Sequence, residues 1–544
     1  MRGLRLPGQQ SALRLIPVAL FLGVFLLAAL TISDYGVVWD EPWYFHASDL
    51  EIHWFADLGK NLLRGKLAES LQDKIILEAW HWDTLHVPHP PFSRILSGLS
   101  KALLSSLIDK FTAYRLPPAL LFALLVTVMY LWMSQLFERM TGLFSALTLL
   151  LMPNLFGFAH FAVTDMPLAA LWFLTVYCFW RGLTDWRWSV VLGCVWGLAL
   201  STKFPALLIP IPLLLWAHMY HRWSYYNNVF TMSFLSPLVM VATNPYLWYN
   251  TPIRFLEFLY EGLARGYRPE TNYTIFFFHK HYASSTVPRY YPFFMTAVTI
   301  PETILFLSLI GVLAFWWMKS QRQIIVLFFS NAAFVLAMGL LPGAVLHDVN
   351  RLMLPVLPYI AGLAGCGFFF LVRLLNEQSR KIAVLQKMKH LRPKLVGVFS
   401  LLLLFPAALD LVVYHPYELS YYNRLVGGIR GAYERGLEVT YFMEAFTPGF
   451  LDYLNRSLPP NVVVDAGISN FMFAYYQKES RLRSDIRFTD ETDAEYLILL
   501  TRQSTFEEGA HFLLENVRPY NAFRLDGVPL ISIYKVKAPT LEGK

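Results

Sequence analysis

The sequence Val37-Val38-Trp39-Asp40-Glu41-Pro42 comes shortly after a hydrophobic stretch at residues 14–32. That stretch is long enough to cross a bilayer, which takes about 20 apolar residues in a helix. Carboxylates beside a membrane are energetically costly and are usually kept there for function. Asp40 and Glu41 are therefore the first candidates for catalysis in this chain.

The composition indicates an integral membrane protein. Hydrophobic residues make up 56% of the 544 residues and charged residues only 15%, which is more apolar than a soluble domain. We predict a polytopic α-helical membrane protein with about eleven transmembrane helices, since each takes about 20 residues. They are expected near residues 14–32, 113–136, 142–158, 166–182, 188–201, 206–220, 229–248, 294–318, 323–341, 352–373 and 395–413.

Basic residues in the short connections predict the orientation, because Lys and Arg collect on the cytoplasmic side. Arg2, Arg5 and Arg14 precede or begin the first span, and the segment 373–394 is rich in Lys and Arg. The connections 159–165 and 342–350 contain neither. The protein is thus predicted to lie in the plasma (inner) membrane with its N-terminus on the cytoplasmic side. Outer loops at 33–112 and 249–293, and the chain after 414, are predicted to be extracytoplasmic.

The chain divides into two predicted domains at about residue 415, where the hydrophobic stretches stop. Residues 1–415 form the membrane domain. Residues 462–465, 495–500 and 530–534 have the composition of short strands between helical segments. Residues 416–544 are therefore predicted to be a small α/β extracytoplasmic domain.

The net charge of +7 is explained by the cytoplasmic loops and indicates no nucleic-acid partner. The first outer loop contains His81, Asp83, His86 and His89, and imidazole with carboxylate suits a divalent metal. Surface histidines near a membrane are the more common explanation of such a group. We expect no metal ligands, and the metal alternative stays open.

A carboxylate at the outer membrane surface suits the transfer of a sugar carried on a polyprenyl phosphate. The lipid tail of such a donor lies in the bilayer and its phosphate lies at the interface. A carboxylate can take the proton from an acceptor hydroxyl, and cationic groups can stabilise the departing phosphate. The acceptor would be a glycan, a lipid or a protein.

Two further motifs accompany Asp40-Glu41. They are His89-Pro90-Pro91 in the same outer loop and Arg351-Leu352-Met353-Leu354-Pro355. Together the three motifs resemble the family 39 glycosyltransferases of the GT-C superfamily, which include protein O-mannosyltransferases and lipid A aminoarabinose transferases. The resemblance covers about residues 14–415. It implies an inverting transfer from a polyprenyl or dolichyl phosphate sugar, with Asp40 as the base or the acceptor-positioning carboxylate.

Seven further residues are candidates for substrate binding. Lys203, at the outer tip of a predicted helical hairpin, and Arg351 are expected to bind the donor phosphate. The remaining candidates are Asp165, His89, His347, Tyr290 and Tyr291.

Plainer explanations stay open for several of these candidates. Asp40 and Glu41 could simply begin a surface helix, and Asp165 could cap one. Lys203 could extend its charge to lipid headgroups, and Arg351 could pair with Asp348. For the whole chain, the alternatives are a secondary transporter of a small solute and a catalytically inactive membrane scaffold.

Overall fold

A computed structural model describes residues 7–221, 224–268, 273–341, 343–379, 392–490 and 493–536. Arg2 and Arg5, and most of the basic residues of the segment 373–394, lie outside this part of the chain.

The described residues are mostly helical, and helices occur at all eleven positions expected to span the membrane. Six helical stretches are long and apolar enough to cross a bilayer, or seven if a pair bent by 118° at residues 291–316 is one span. This confirms a polytopic helical membrane protein, and the count of eleven stays a prediction. The helices of this portion are Pro7–Thr31, Lys110–Leu136, Arg139–Leu150, Pro153–Phe158, Asp165–Gly182, Trp186–Leu200, Pro210–His221, Tyr226–Ala242, Tyr291–Val298, Glu302–Leu313, Arg322–Met338, Leu357–Ser379 and Arg392–Tyr414.

Close helix packing in the membrane portion depends on glycine. Gly311 of helix Glu302–Leu313 lies against the backbone of Leu363, and Gly367 of helix Leu357–Ser379 lies against the backbone of Leu307. A Cβ atom at either position would clash with the neighbouring carbonyl group. Small residues allow the backbones of membrane helices to approach in this way.

Short helices form the outer loops. The first loop contains helices Glu41–Leu63, Leu67–Ser70, Asp73–Trp80, Trp82–Leu85 and Phe92–Leu104. The second contains helix Thr251–Ala264 and a hairpin of strands β1 (Thr274–Phe277) and β2 (Lys280–Ala283). Apolar residues between positions 44 and 63 recur at spacings that predict an amphipathic helix, and helix Glu41–Leu63 confirms a helix at this position.

The sequence after His89-Pro90-Pro91 predicts a helix from Phe92 to Lys110, but the helix ends earlier, at Leu104. A new helix begins at Lys110, where the carboxylate of Asp109 accepts hydrogen bonds from the backbone N–H of Phe111 at 3.1 Å and of Thr112 at 3.3 Å. This cap fixes the start of the following helix.

The C-terminal domain contains the strands β3 (Val463–Asp465), β4 (Arg487–Phe488), β5 (Tyr496–Leu500), β6 (Asn521–Leu525) and β7 (Val528–Lys535). They form one five-stranded sheet in the order β4-β3-β5-β7-β6. β3 pairs in parallel with both β4 and β5, whereas β7 is antiparallel to β5 and β6. The three predicted strands correspond to β3, β5 and β7. The helices of this domain are Gly428–Glu434, Pro448–Ser457, Asn470–Lys478 and Glu508–Asn516.

The C-terminal domain packs directly on the acidic motif of the first outer loop. The hydroxyl of Tyr476 accepts a hydrogen bond from the backbone N–H of Val37 at 2.6 Å. The backbone N–H of Trp39 donates to the carbonyl of Phe442 at 3.0 Å. Val37 also belongs to one apolar core with Phe446 and Phe473. The motif is thus held between the two domains.

Candidate active site

Four of the predicted site residues stand at the ends of helical elements, and the fold brings these ends together. Asp40 precedes helix Glu41–Leu63, and Asp165 is the first residue of helix Asp165–Gly182. Lys203 precedes a 3₁₀ turn at Phe204–Leu208, and Arg351 begins another at Arg351–Val356. Element ends leave side chains free to point into a shared space, which suits a binding site.

Arg351 is at the centre of the site and is only 5% exposed. Its Nε donates to Asp165 Oδ2 at 3.0 Å and its Nη1 donates to Asp348 Oδ2 at 3.1 Å. Its Nη2 pairs with Asp40 Oδ2. The guanidinium group lies 4.0 Å from the centre of the Phe442 ring. One buried cation therefore holds three carboxylates from three separate segments.

Asp165 joins Arg351 to Lys203. The Nζ of Lys203 donates to Asp165 Oδ1 at 2.8 Å, and both side chains are buried. Asp165 makes no side-chain cap to its own helix, so the capping explanation is not confirmed. Burial of Lys203 also argues against the extension of its charge to lipid headgroups. We call Lys203, Asp165, Arg351, Asp40 and Asp348 the charge network.

A strained turn carries Asp348 into the charge network. Asp348 and Val349 have φ of 54° and 57°, and the left-handed region is unfavourable for a β-branched residue such as Val349. Asp348 also accepts from His347 Nδ1 at 2.8 Å. Burial alone would raise the pKa of Asp348, but His347 and two arginines lower it further than burial raises it. Strain of this kind is typical of functional sites.

Glu41 faces away from the charge network. It is fully buried, and its carboxylate binds Arg115 through Oε1 at 2.8 Å and Oε2 at 2.5 Å. It also accepts from the backbone N–H of Val38 at 3.1 Å and of Ala162 at 2.9 Å. Glu41 therefore fixes the start of its helix against the membrane helices, next to Asp40.

His89 lies near Lys203 because two loops are joined. The backbone N–H of Phe92 donates to the carbonyl of Ser201 at 2.8 Å, which connects the His-Pro-Pro segment to the hairpin tip. Arg94 donates to the His89 carbonyl at 2.5 Å and pairs with Glu51 at 2.6 Å. Burial, and then the charge of Lys203 and nearby arginines, lower the pKa of His89 well below its ordinary value. His89 is therefore a neutral imidazole at pH 7.

The two predicted tyrosines have different surroundings. Tyr291 is buried and lies within electrostatic reach of Asp348. Tyr290 is 55% exposed and its ring lies 5.8 Å from that of Phe277 in β1. The fold thus brings Tyr291 to the charge network and leaves Tyr290 at the rim.

The described residues contain no group of three His, Cys, Asp or Glu side chains arranged to hold one metal ion. The ring centre of His81 lies 5.3 Å from that of Tyr246, and the ring centre of His86 lies 5.5 Å from that of Trp43. The side chain of Asp83 lies outside the described residues. Within the charge network the three carboxylates pair with the cations Lys203 and Arg351.

Sequence reasoning missed the contribution of the C-terminal domain. Arg502 donates to Asp348 Oδ1 at 3.4 Å, and its guanidinium group lies 5.3 Å from the centre of the Trp39 ring. The ring centres of Phe471 and Trp39 lie 4.9 Å apart in an edge-to-face contact. Arg502 stands in no recognisable motif, so the sequence carries no signal for it.

Residues 88–249 match a protein family model. The family is described as dolichyl-phosphate-mannose-protein mannosyltransferase. The matched segment contains His89, Asp165 and Lys203, all near the charge network. For this segment, the match confirms the resemblance to GT-C membrane glycosyltransferases that the motifs indicate.

Solved structures of two proteins are similar to the chain. ArnT from Cupriavidus metallidurans bound to undecaprenyl phosphate has 14% identity and a TM-score of 0.48, over 95% of this chain and 97% of that chain. Its apo state has 15% identity and a TM-score of 0.49 over the same shares. The oligosaccharyltransferase AglB from Archaeoglobus fulgidus, with an inhibitory peptide and a dolichol-phosphate, has 11% identity and a TM-score of 0.44 over 88% of this chain and 69% of that chain. A comparison with curated proteins gave no match.

Proposed function

We propose that the protein is a membrane glycosyltransferase. It moves a sugar from a polyprenyl or dolichyl phosphate to an acceptor hydroxyl, with inversion at the anomeric carbon. The observation that carries this proposal is the pairing of two buried cations, Lys203 and Arg351, on one carboxylate beside Asp40. The family description for residues 88–249 supports the lipid-phosphate donor.

Lys203 and Arg351 bind the donor phosphate. A planar guanidinium group recognises phosphate oxygens bidentately, and a lysine ammonium adds a point charge. Asp165 lies between the two cations, keeps them close together and offsets their repulsion. Two cations that share one carboxylate keep a net positive charge, which favours contact with a phosphate oxygen.

Donor binding frees Asp40 for catalysis. All three nitrogens of Arg351 face carboxylates, so an incoming phosphate displaces one of them. Asp40 is 26% exposed, compared with 2% for Asp165 and 8% for Asp348, and is the easiest to displace. The released carboxylate then accepts the proton of the acceptor hydroxyl as the new C–O bond forms. The bond from the anomeric carbon to the phosphate breaks, and its electron pair leaves on the phosphate oxygen.

The other predicted residues support this chemistry. Glu41 acts by positioning Asp40 through its buried contacts with Arg115 and Ala162. His89, as a neutral imidazole, and His347, bound to Asp348, offer hydrogen bonds to the sugar or the acceptor. Tyr291 forms a wall of the same site, and Tyr290 contacts the acceptor at the rim.

The reaction takes place on the extracytoplasmic side of the plasma membrane. The basic connections support a cytoplasmic N-terminus, with the first outer loop and the C-terminal domain on the opposite side. The acceptor is a glycan, lipid or protein carrying a free hydroxyl.

Replacement of Asp40 tests the proposal. Membranes containing wild type or Asp40→Asn receive labelled polyprenyl phosphate sugars and extracted acceptor fractions, and transfer is measured. We expect Asp40→Asn to reduce transfer by about 10²–10⁴-fold, the usual contribution of a general base. The matched control is Asp57→Asn on the same helix, which removes a carboxylate paired only with exposed neighbours. Equal transfer by wild type and Asp40→Asn would refute the role of Asp40.

A further inference from the structure

Two arginines lie on two aromatic rings that belong to different domains. Arg351 lies over Phe442 at 4.0 Å, and Arg502 lies over Trp39 at 5.3 Å. The backbones of the two aromatic residues are hydrogen-bonded to each other at 3.0 Å. Each domain therefore supplies one arginine, and each arginine rests on a ring from the other domain.

The two arginines also share one carboxylate. Arg351 contacts Oδ2 of Asp348 at 3.1 Å, and Arg502 contacts Oδ1 at 3.4 Å. The two guanidinium groups are thus close neighbours on either side of Asp348. Their mutual repulsion is reduced by the shared negative charge.

In the part of the chain that the structure describes, the guanidinium group of Arg502 does not use all of its hydrogen-bond donors. Among the described residues its buried Nε has no hydrogen-bond partner, although its side chain is only 15% exposed. A buried donor without a partner is costly, so its retention points to a ligand that completes its bonds. The turn that carries Arg502 is held firmly, because Glu438 accepts from the backbone N–H of Gln503 at 2.6 Å and of Ser504 at 2.8 Å.

The charge of the phosphate changes during the proposed transfer. The lipid-linked donor is a phosphodiester with one negative charge. When its bond to the sugar breaks, it becomes a monoester, which carries about −1.5 to −2 at pH 7 because its second pKa is about 6. Lys203 and Arg351 are already paired on Asp165, so the additional charge calls for a further cation.

We propose that Arg502 of the C-terminal domain supplies this cation and stabilises the departing phosphate. The proposal rests on the proposed function, because it concerns the leaving group of the same reaction. Arg502 turns from Asp348 toward the phosphate oxygen that gains charge, and its Nε gains the hydrogen bond it lacks. The C-terminal domain is then part of the catalytic site.

Two lipid probes test the inference on the full-length protein in nanodiscs. One is a polyprenyl phosphate monoester, and the other is its methyl diester, which carries a single charge. We expect Arg502→Gln to weaken monoester binding about tenfold at pH 8 and diester binding less than threefold, since charge-assisted contacts are the strong ones. At pH 5 the monoester loses most of its second charge, and the difference between wild type and variant should shrink.

Two further variants separate charge from structure. Arg502→Lys keeps the cation and should retain the preference for the monoester. Arg487→Gln removes an exposed arginine of the same domain and should bind both probes as wild type does. An equal loss of both probes in Arg502→Gln, or a difference that persists at pH 5, would refute the role of Arg502.

The outcome for the proposed function is separate. Lys203→Gln should weaken both probes, because Lys203 binds the phosphate in either state. If wild type binds neither probe, the donor site itself is refuted. If wild type binds both probes and Arg502→Gln changes the affinity for both to the same extent, only the inference about Arg502 fails.

Discussion

Lys203 and Arg351 bind opposite oxygens of the Asp165 carboxylate, at 2.8 Å and 3.0 Å. These three residues come from a hairpin tip, a 3₁₀ turn and a helix start that are far apart in sequence. The pairing determines the spacing of the two cations before any substrate arrives. It therefore preorganises the proposed phosphate site.

Asp165→Asn should destabilise the free protein and make its stability depend on a bound anion. The change leaves two buried cations without their shared counter-charge, and breaking a buried ion pair costs about 3–5 kcal/mol. Addition of a polyprenyl phosphate should raise the melting temperature of the variant more than that of wild type, because the anion replaces the lost charge. Melting in detergent with and without the lipid measures this. An equal rise in both proteins would contradict it.

Glu41→Gln should act on stability more than on donor binding. It leaves Arg115 buried with a neutral partner, which again costs about 3–5 kcal/mol. The folded fraction should still bind polyprenyl phosphate with nearly wild-type affinity, since Glu41 does not touch the charge network. Melting temperature and lipid binding are measured on the same preparation. A large loss of lipid affinity at unchanged stability would instead assign Glu41 to the donor site.

His415 should make stability depend on pH. Its hydrogen bond to Glu418, opposed by burial and helped by the charges of Glu418 and Asp34, raises its pKa to about 9. Because this pKa exceeds the unfolded value of about 6.5, the stabilisation is complete below about pH 6.5 and is lost as pH rises through about 9. Between pH 6 and pH 10, the melting temperature should fall more steeply in wild type than in His415→Gln.

The control for this pH series is His53→Gln, which removes a histidine with a 74% exposed side chain. Its melting profile should follow that of wild type. Parallel profiles for wild type and His415→Gln would contradict the role of His415.

Gly311→Val should disrupt the membrane helices. A Cβ atom at Gly311 meets the Leu363 carbonyl, and overpacking typically costs about 1–3 kcal/mol or more. The matched control is Gly397→Val in helix Arg392–Tyr414, where nothing lies within 4 Å of an added Cβ atom. Thermal stability and yield in detergent compare the two. Equal stability of the two variants would contradict the need for a close backbone contact at Gly311.

Sequence reasoning worked where one segment carries its own signal. Hydrophobic length located the helices, and three short motifs indicated Asp40, His89 and Arg351, whose roles stay predictions. Helix boundaries were less certain, as the early end of the helix at Leu104 illustrates: the cap at Asp109 outweighed the continued apolar pattern.

Contacts between distant segments could not be predicted. The side chains of Asp40 and Arg351 pair across 311 residues, and nothing in either motif indicates the partner of the other. Arg115 lies inside a predicted span, and nothing in the sequence around it indicates that it is the buried partner of Glu41. Arg502 depends entirely on how the second domain docks, so only the folded chain identifies it.

The hydrogen bond between Tyr476 and Val37 joins positions 439 residues apart, and the bond from Trp39 to Phe442 joins the same two distant parts of the chain. During synthesis on the ribosome, the acidic motif therefore leaves the tunnel long before its supports exist. The first membrane helices are synthesised before these supports, so both hydrogen bonds can form only after Tyr476 has been translated. A chain that ends before Phe442 therefore lacks both of these supports of the acidic motif.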